Sequence, residues 1–332
     1  MPSLVGSEMC IRDSHKGPLG GLGQAVREEM MKVLVLAGPT AVGKTKLGIA
    51  LAEALGGEVV SADSRQVYKY MDIGTAKPTP EQRARVPHHM IDLVLPDEYF
   101  SAGRYASLAA EAVKDVARRG KLPIVVGGSG LYLSALFDGL FEEKAKDPAL
   151  RRALRERAER EGTEALHREL AEVDPEAASR IHPRDLQRIV RALEVYRTTG
   201  RPISEWQKER RPPLEADVLW VGLNLDRRKL YRRIDLRVED MFRRGLVEEV
   251  RALLEMGYGP ELPALKTVGY KEVFPYLQGR RSMEETIAQV KTDTHSYARR
   301  QLIWFRRDPR IRWLDAEMET QDLVRMISAL LG

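Results

Sequence analysis

From Met31 onward, short apolar runs alternate with stretches whose apolar residues recur every three or four positions. Strand-like runs fall at Val33–Ala37, Val59–Ala62 and Ile124–Val126. The last follows a stretch in which Tyr105, Leu108, Ala112, Val113 and Val116 recur at helical spacing. Gly56-Gly57 ends a helix-like run over Leu47 to Leu55, and Gly120 with Pro123 ends the later one. Strand and helix in alternation predict an α/β fold with a parallel sheet flanked by helices.

Near Glu142 the pattern changes to a long charged helical region with breaks at Gly162, Asp174-Pro175, His182-Pro183 and Gly200-Arg201-Pro202. Val218 to Leu225 is strand-like again, so residues 142–215 read as an all-helical domain inserted into an α/β core of 30–141 and 216–332. Helical segments are predicted over about Arg228 to Met256 and Ser282 to Arg306. A short apolar run at Ile311–Leu314 and a terminal helix follow.

Composition adds bounds. The chain has 332 residues, 43% of them hydrophobic, with a net charge of +5. That is enough for a core and compatible with an anionic partner. No apolar stretch approaches the roughly 18 residues that span a bilayer, so no membrane partner is expected. The single Cys10 excludes a disulfide framework and points to a reducing, cytoplasmic setting. Residues 1–29 are expected to be a non-native or disordered leader. The run from Met1 to Ser14 has neither signal-peptide character nor a secondary-structure period, which makes Cys10 foreign to the core.

The chemistry begins at Gly38-Pro39-Thr40-Ala41-Val42-Gly43-Lys44-Thr45, between the first strand-like and helix-like runs. Glycines there let successive N–H groups face phosphate oxygens, Lys44 adds a point charge, and Thr45 offers a hydroxyl to Mg²⁺. The following helix adds its positive end. This predicts a P-loop NTPase-like sheet that grips a di- or triphosphate. Asp63 closes the second strand and should face the same crevice, as a general base, a cap or a magnesium ligand. Ser64, Arg65 and Gln66 follow, with polar groups able to read a substrate edge. The third strand ends in Gly127-Gly128-Ser129-Gly130, where a hydrolysing ATPase would place an acid. Small residues there suit either a substrate approaching from the far side or a tight turn.

Charge is concentrated in two places. Arg180 to Arg211 holds nine basic residues against four acidic ones, with Arg184, Arg188 and Arg191 at helical spacing on one face. Near the C-terminus Arg299, Arg300, Arg306, Arg307, Arg310 and Arg312 interleave with Trp304, Phe305 and Trp313, a pairing used for single-stranded RNA unless the aromatics belong to the core. Arg233 and Arg237, one turn apart, are further phosphate candidates.

Together, GPTAVGKT, SADSRQVYKYMDIGTAKP, VGGSGLYLSAL, HPRDLQRIVRALEVY, YRRIDLRVEDMF, LKTVGYKE and ARRQLIWFRR resemble the tRNA dimethylallyltransferase (tRNA isopentenyltransferase) family, in order over about Val33 to Trp313. Ser129 stands where the family usually has Thr. The resemblance implies transfer of the dimethylallyl group of dimethylallyl diphosphate to N6 of the adenosine 3′ of the anticodon in tRNA, with Mg²⁺ as cofactor. It implies Asp63 as general base, and diphosphate stabilisation by the loop with Thr40, Lys44, Thr45 and Arg237 or Arg233. Its tRNA contacts map onto Asp63, Ser64, Arg65, Gln66, Ser129, Arg151, Gln187, Arg188, Ile189, Val190 and Arg191. They continue at Lys266, Thr267, Val268, Gly269, Tyr270 and Lys271, then at Arg299, Arg300 and Arg306. A monomer acting on the anticodon stem-loop is expected. An ATP-dependent small-molecule kinase, a prenyltransferase of free adenine nucleotides and an RNA-binding nucleotide switch are the competing readings.

Overall fold

The structure, a computed structural model, describes residues 30–140 and 147–332. The expectations for residues 1–29, including Cys10, and for the first residues of the helical segment lie outside the described residues. The first strand-like run is β1 (Lys32–Ala37), and the phosphate loop leads from it into α1 (Lys44–Leu55). Next come β2 (Gly57–Ala62), a short α2 (Pro80–Arg85), a two-residue β3 (His88–His89), α3 (Ala102–Arg118), β4 (Leu122–Gly127) and α4 (Gly130–Phe137). The sequence pattern gave no sign of α2 or β3, both too short to show a period.

Five helices follow: α5 (Pro148–Glu161), α6 (Thr163–Val173), α7 (Pro175–Arg180), α8 (Leu186–Thr199) and α9 (Ile203–Lys208). They begin and end at the punctuation read from sequence. Asp174 caps α7 by accepting from Ala177 N, with Pro175 in the first turn, and Gly200 (φ 71°) ends α8. The chain then enters β5 (Asp217–Asn224), α10 (Arg227–Arg243), α11 (Leu246–Glu255), α12 (Val273–Leu277), α13 (Met283–Phe305), β6 (Arg312–Asp315) and α14 (Thr320–Leu331).

Among the described residues the six strands form one parallel sheet in the order β3-β2-β4-β1-β5-β6. In β1, Val33, Val35 and Ala37 pack on one side of the sheet with Tyr105, Val113 and Leu133. Leu34 and Leu36 pack on the other with Leu47, Leu51, Ile234 and Ile327. Burial on both faces is why this strand reads as an unbroken apolar run. Truncating Leu36 to Ala would cost about 2–5 kcal/mol.

The helices α5–α9 carry an apolar cluster of their own, including Leu154, Leu166, Ile189, Val190 and Leu193. The chain leaves and re-enters the sheet-bearing part at one place, where Leu140 and Arg211 form an antiparallel bridge. Gly139 (φ 78°) lies so close to Arg211 that a Cβ there would fall 2.2 Å from its carbonyl oxygen. The segment is thus strung between two adjoining strands of chain.

Candidate active site

The site forms at the carboxyl ends of β1, β2 and β4, where ligands of parallel sheets bind. Gly38 (φ 146°) lets the loop pass β5, since a Cβ would sit 3.0 Å from the Leu223 carbonyl oxygen. Gly43 (φ 114°) turns the loop into α1. Ala41 (φ 64°) adopts a left-handed conformation without being glycine, the kind of strain that active sites hold.

Lys44 Nζ donates to the carbonyls of Gly38 (2.9 Å) and Pro39 (2.7 Å). Burial, then the neighbouring Arg237 guanidinium, push this ammonium down to about 7, against a smaller opposing pull from Asp63. Arg237 is lowered as well, chiefly by burial, and its Nη1 lies 3.4 Å from Thr40 Oγ1. Two crowded cationic groups beside one carboxylate would each be relieved by a neighbouring negative charge.

Two cavities meet here. The first, of about 260 Å³, is lined by Thr40, Gly43, Lys44, Thr45, Asp63, Gly127, Gly128, Arg237 and Gln301, together with Val59, Val126 and His88. The second, of about 350 Å³, is lined by Ser64, Arg65, Gly74, Lys266, Thr267, Val268, Gly269, Lys271 and Arg300. Thr40, Asp63, Thr75, Ala76, Arg237 and Tyr297 line both, so the two cavities adjoin at these residues. Asp63 Oδ1 accepts from Arg65 N (2.8 Å) and Gln66 N (3.4 Å), which fixes the carboxylate at that junction.

The structure separates the paired candidates. Arg237 faces both cavities, whereas Arg233 donates to Val42 O (3.2 Å) and lines a different depression beside Glu317 and Thr320. Gln66 lines the first cavity, with its amide also bonded within the protein: Nε2 donates to Thr75 O and Ala76 O, and Oε1 accepts from Ser61. Ser129 lies outside both linings at the N-cap of α4. The glycines beside it leave room for α13 rather than mainly for substrate. A Cβ on Gly128 would meet Gln301 at 2.3 Å, and one on Gly130 would meet Trp304 at 2.2 Å.

Other expectations are corrected by burial. Ile189 and Val190 lie in the core of the helical segment, and Tyr270 is fully buried, so their side chains do not face solvent as RNA contacts would. Arg184 precedes the N-cap Asp185 and is not on α8 at all. Arg151 and Arg191 both pair with the fully buried Glu194 (2.8 Å each), which also accepts from Asp147 N. Gln187 and Arg188 stay exposed, as do Arg299, Arg300, Arg306 and Trp304; Phe305 is buried and Trp313 half-buried.

Sequence reading missed two groups on α13. Tyr297 lines both cavities, and Gln301 ties the phosphate loop to β4 by accepting from Thr40 N (2.8 Å) and donating to Gly128 O (2.9 Å). With Val290 and Thr294 they recur at positions 290, 294, 297 and 301, a mixed polar stripe on one helical face that would have marked them.

Among the described residues, no cluster of three or more His, Cys, Asp or Glu could hold a metal, and no helix is long and apolar enough to cross a membrane. The phosphate-loop sequence between β1 and α1 of a parallel sheet, with Asp63 facing the same crevice, defines a P-loop NTPase-like fold. The chain belongs to the IPP transferase family, whose model matches residues 66–308.

It is 52% identical over 285 residues to a tRNA dimethylallyltransferase of Geobacter sulfurreducens, covering 86% of this chain and 92% of that protein. It is 51% identical over 303 residues to one of Roseiflexus castenholzii, covering 91% and 98%. Among solved structures, it superposes on the full-length tRNA isopentenylpyrophosphate transferase of Bacillus halodurans with a TM-score of 0.67. That match has 38% identity and covers 90% of this chain and 96% of the other. A eukaryotic dimethylallyltransferase caught acting on tRNA gives a TM-score of 0.76 at 35% identity, covering 90% and 78%.

Proposed function

We propose that the protein transfers a dimethylallyl group from dimethylallyl diphosphate to N6 of the adenosine 3′ of the anticodon in tRNA. The carrying observation is the pair of cavities that share Asp63, Thr40 and Arg237 at their junction. The diphosphate occupies the first cavity, against the loop and Lys44. Its prenyl carbons extend toward the apolar Val59 and Val126. The acceptor base enters through the second, flanked by basic Arg65, Lys266, Lys271 and Arg300.

The N6–C1 bond forms as the C1–O bond breaks, and the electron pair leaves with the diphosphate. An exocyclic purine amine is a weak nucleophile, so Asp63 takes the N6 proton as the new bond forms. Thr40, Lys44 and Arg237 stabilise charge developing on the leaving oxygens in a site shielded from bulk water. Reaching N6 requires the base to be splayed from the anticodon loop, which a cavity of this kind accommodates.

Mg²⁺ suits the donor set, because it keeps several waters and takes one or two protein oxygens beside substrate phosphates. Thr45 lines the first cavity and would hold it, adding positive charge at the leaving group. Residues 142–215 serve as a tRNA-binding domain through exposed Gln187 and Arg188, while Arg151 and Arg191 shape that surface through Glu194. We take the enzyme to act as a monomer in the cytoplasm.

The test is incubation with labelled dimethylallyl diphosphate, Mg²⁺ and unmodified tRNA, followed by digestion to nucleosides. A prenylated adenosine is expected, and phosphoryl transfer from ATP without it would overturn the reading. Asp63→Asn should lower the single-turnover rate by about 10²–10⁴ with tRNA affinity retained; a near-normal rate would remove Asp63 as the base.

A further inference from the structure

Part of the wall of the second cavity comes from two segments far apart in sequence, residues 72–76, of which Gly74 to Ala76 line it, and 264–271, of which Lys266 to Gly269 and Lys271 line it. Neither is helix or strand. One side chain on α11 joins them. Glu249 Oε2 accepts from Asp72 N (2.9 Å) and Ile73 N (2.8 Å), while Oε1 accepts from Gly74 N (3.2 Å) and from the Tyr270 hydroxyl (2.6 Å). Three successive backbone donors and a phenol thus converge on one carboxylate, with charge assisting every bond.

The first segment needs such a tether. Tyr70 (φ 66°) and Ala76 (φ 50°) bracket it in left-handed conformations that non-glycine residues adopt only when their surroundings enforce them. Gly74 lies flat against Tyr270, where a Cβ would come within 2.4 Å of the ring. Lys77 holds the far end by donating to Tyr68 O and Asp72 Oδ1 (2.6 Å each). Thr75 and Ala76, between these anchors, line both cavities. Glu249 lines neither.

We propose that Glu249 is a positioning residue that sets the width of the junction between the two cavities, and with it the alignment of the acceptor amine on the prenyl carbon. This rests on the assignment of substrates to cavities given above. Glu249→Gln keeps the side chain's size but replaces one accepting oxygen with a donor facing donors. The single-turnover rate per active site should fall on the order of 10- to 100-fold, as expected for losing charge-assisted bonds. Affinity for a non-reactive thiolodiphosphate analogue, whose grip lies on the phosphate loop, should stay within about threefold. Tyr270→Phe removes one of the four bonds and leaves the ring under Gly74, so it should show a smaller loss in the same parameter.

Active sites are counted by titration with the analogue, which separates misfolded protein from misaligned protein. A rate per active site within twofold of the parent for both variants would overturn the proposal, as would an equal loss of analogue affinity and rate. If the parent forms no prenylated adenosine, the substrate assignment fails instead, and the two failures are told apart.

Discussion

Lys44 offers a sharp test of the anion site because its proton is held so loosely. In the ligand-free protein its ammonium is pushed down to about 7, first by burial and then by Arg237. A bound diphosphate replaces the lost solvation with opposite charge and returns the group toward its ordinary 10.5. The sign follows: the free protein is about half protonated at pH 7 and almost wholly neutral at pH 9, whereas the complex stays protonated. Binding above pH 7 therefore takes up a proton, and affinity falls as pH rises.

Between pH 7 and 9 the weakening should reach roughly 50-fold, approaching tenfold per unit at the upper end. The substrate's own terminal phosphate titrates at about 6 and changes little over that window. Calorimetry of the thiolodiphosphate analogue in two buffers of different ionisation enthalpy reads both the slope and the proton uptake. Lys44→Arg, which does not titrate there, should flatten the slope. Affinity unchanged from pH 7 to 9, with no buffer dependence, would refute the argument.

The two arginines of α10 should separate kinetically: Arg237→Ala should lower kcat/KM for dimethylallyl diphosphate by about 10²-fold or more, as loss of a leaving-group contact does. Arg233→Ala should stay within a few-fold, and steady-state kinetics with equal losses would contradict the geometry. Glu194→Ala should destabilise the helical segment by about 1–3 kcal/mol, read by denaturant melts, because Asp147 N and two half-exposed arginines lose their shared acceptor. Arg299→Ala with Arg300→Ala should weaken tRNA binding and reduce the slope of log K against log salt by about 1–2, measured by filter binding.

What could be read from the chain alone was whatever is local. The phosphate loop is eight consecutive residues between a strand and a helix, and the breaks around α5–α9 are caps and prolines, so both are legible without a partner. Asp63 was placed by the rule that strand ends face the crevice. Glu249 was not legible, because it acquires meaning only from residues far along the chain; for Tyr297 and Gln301 the helical stripe was on view but not what they touch. Gln66 was legible only in part: an amide beside a crevice carboxylate has no local mark saying that it also bonds to the backbone of Thr75 and Ala76. Arg151 and Arg191 read as RNA contacts, and the chain alone did not show that both also pair with the buried Glu194. The glycines after β4 were ambiguous in the same way, since their space is used by Gln301 and Trp304 arriving from α13.

The bond between Thr40 N and Gln301 also has a bearing on synthesis. The phosphate loop emerges among the first residues of the described chain, yet its geometry is completed by a side chain 261 positions later. A nascent chain that has made the loop, α1 and most of the sheet still lacks the helix that closes it, and non-local closure is slow to form. Under the reading proposed above, diphosphate capture therefore waits until α13 has been made. A ligand held there favours the folded state by mass action, so binding at the loop would report on α13 as well as on the loop.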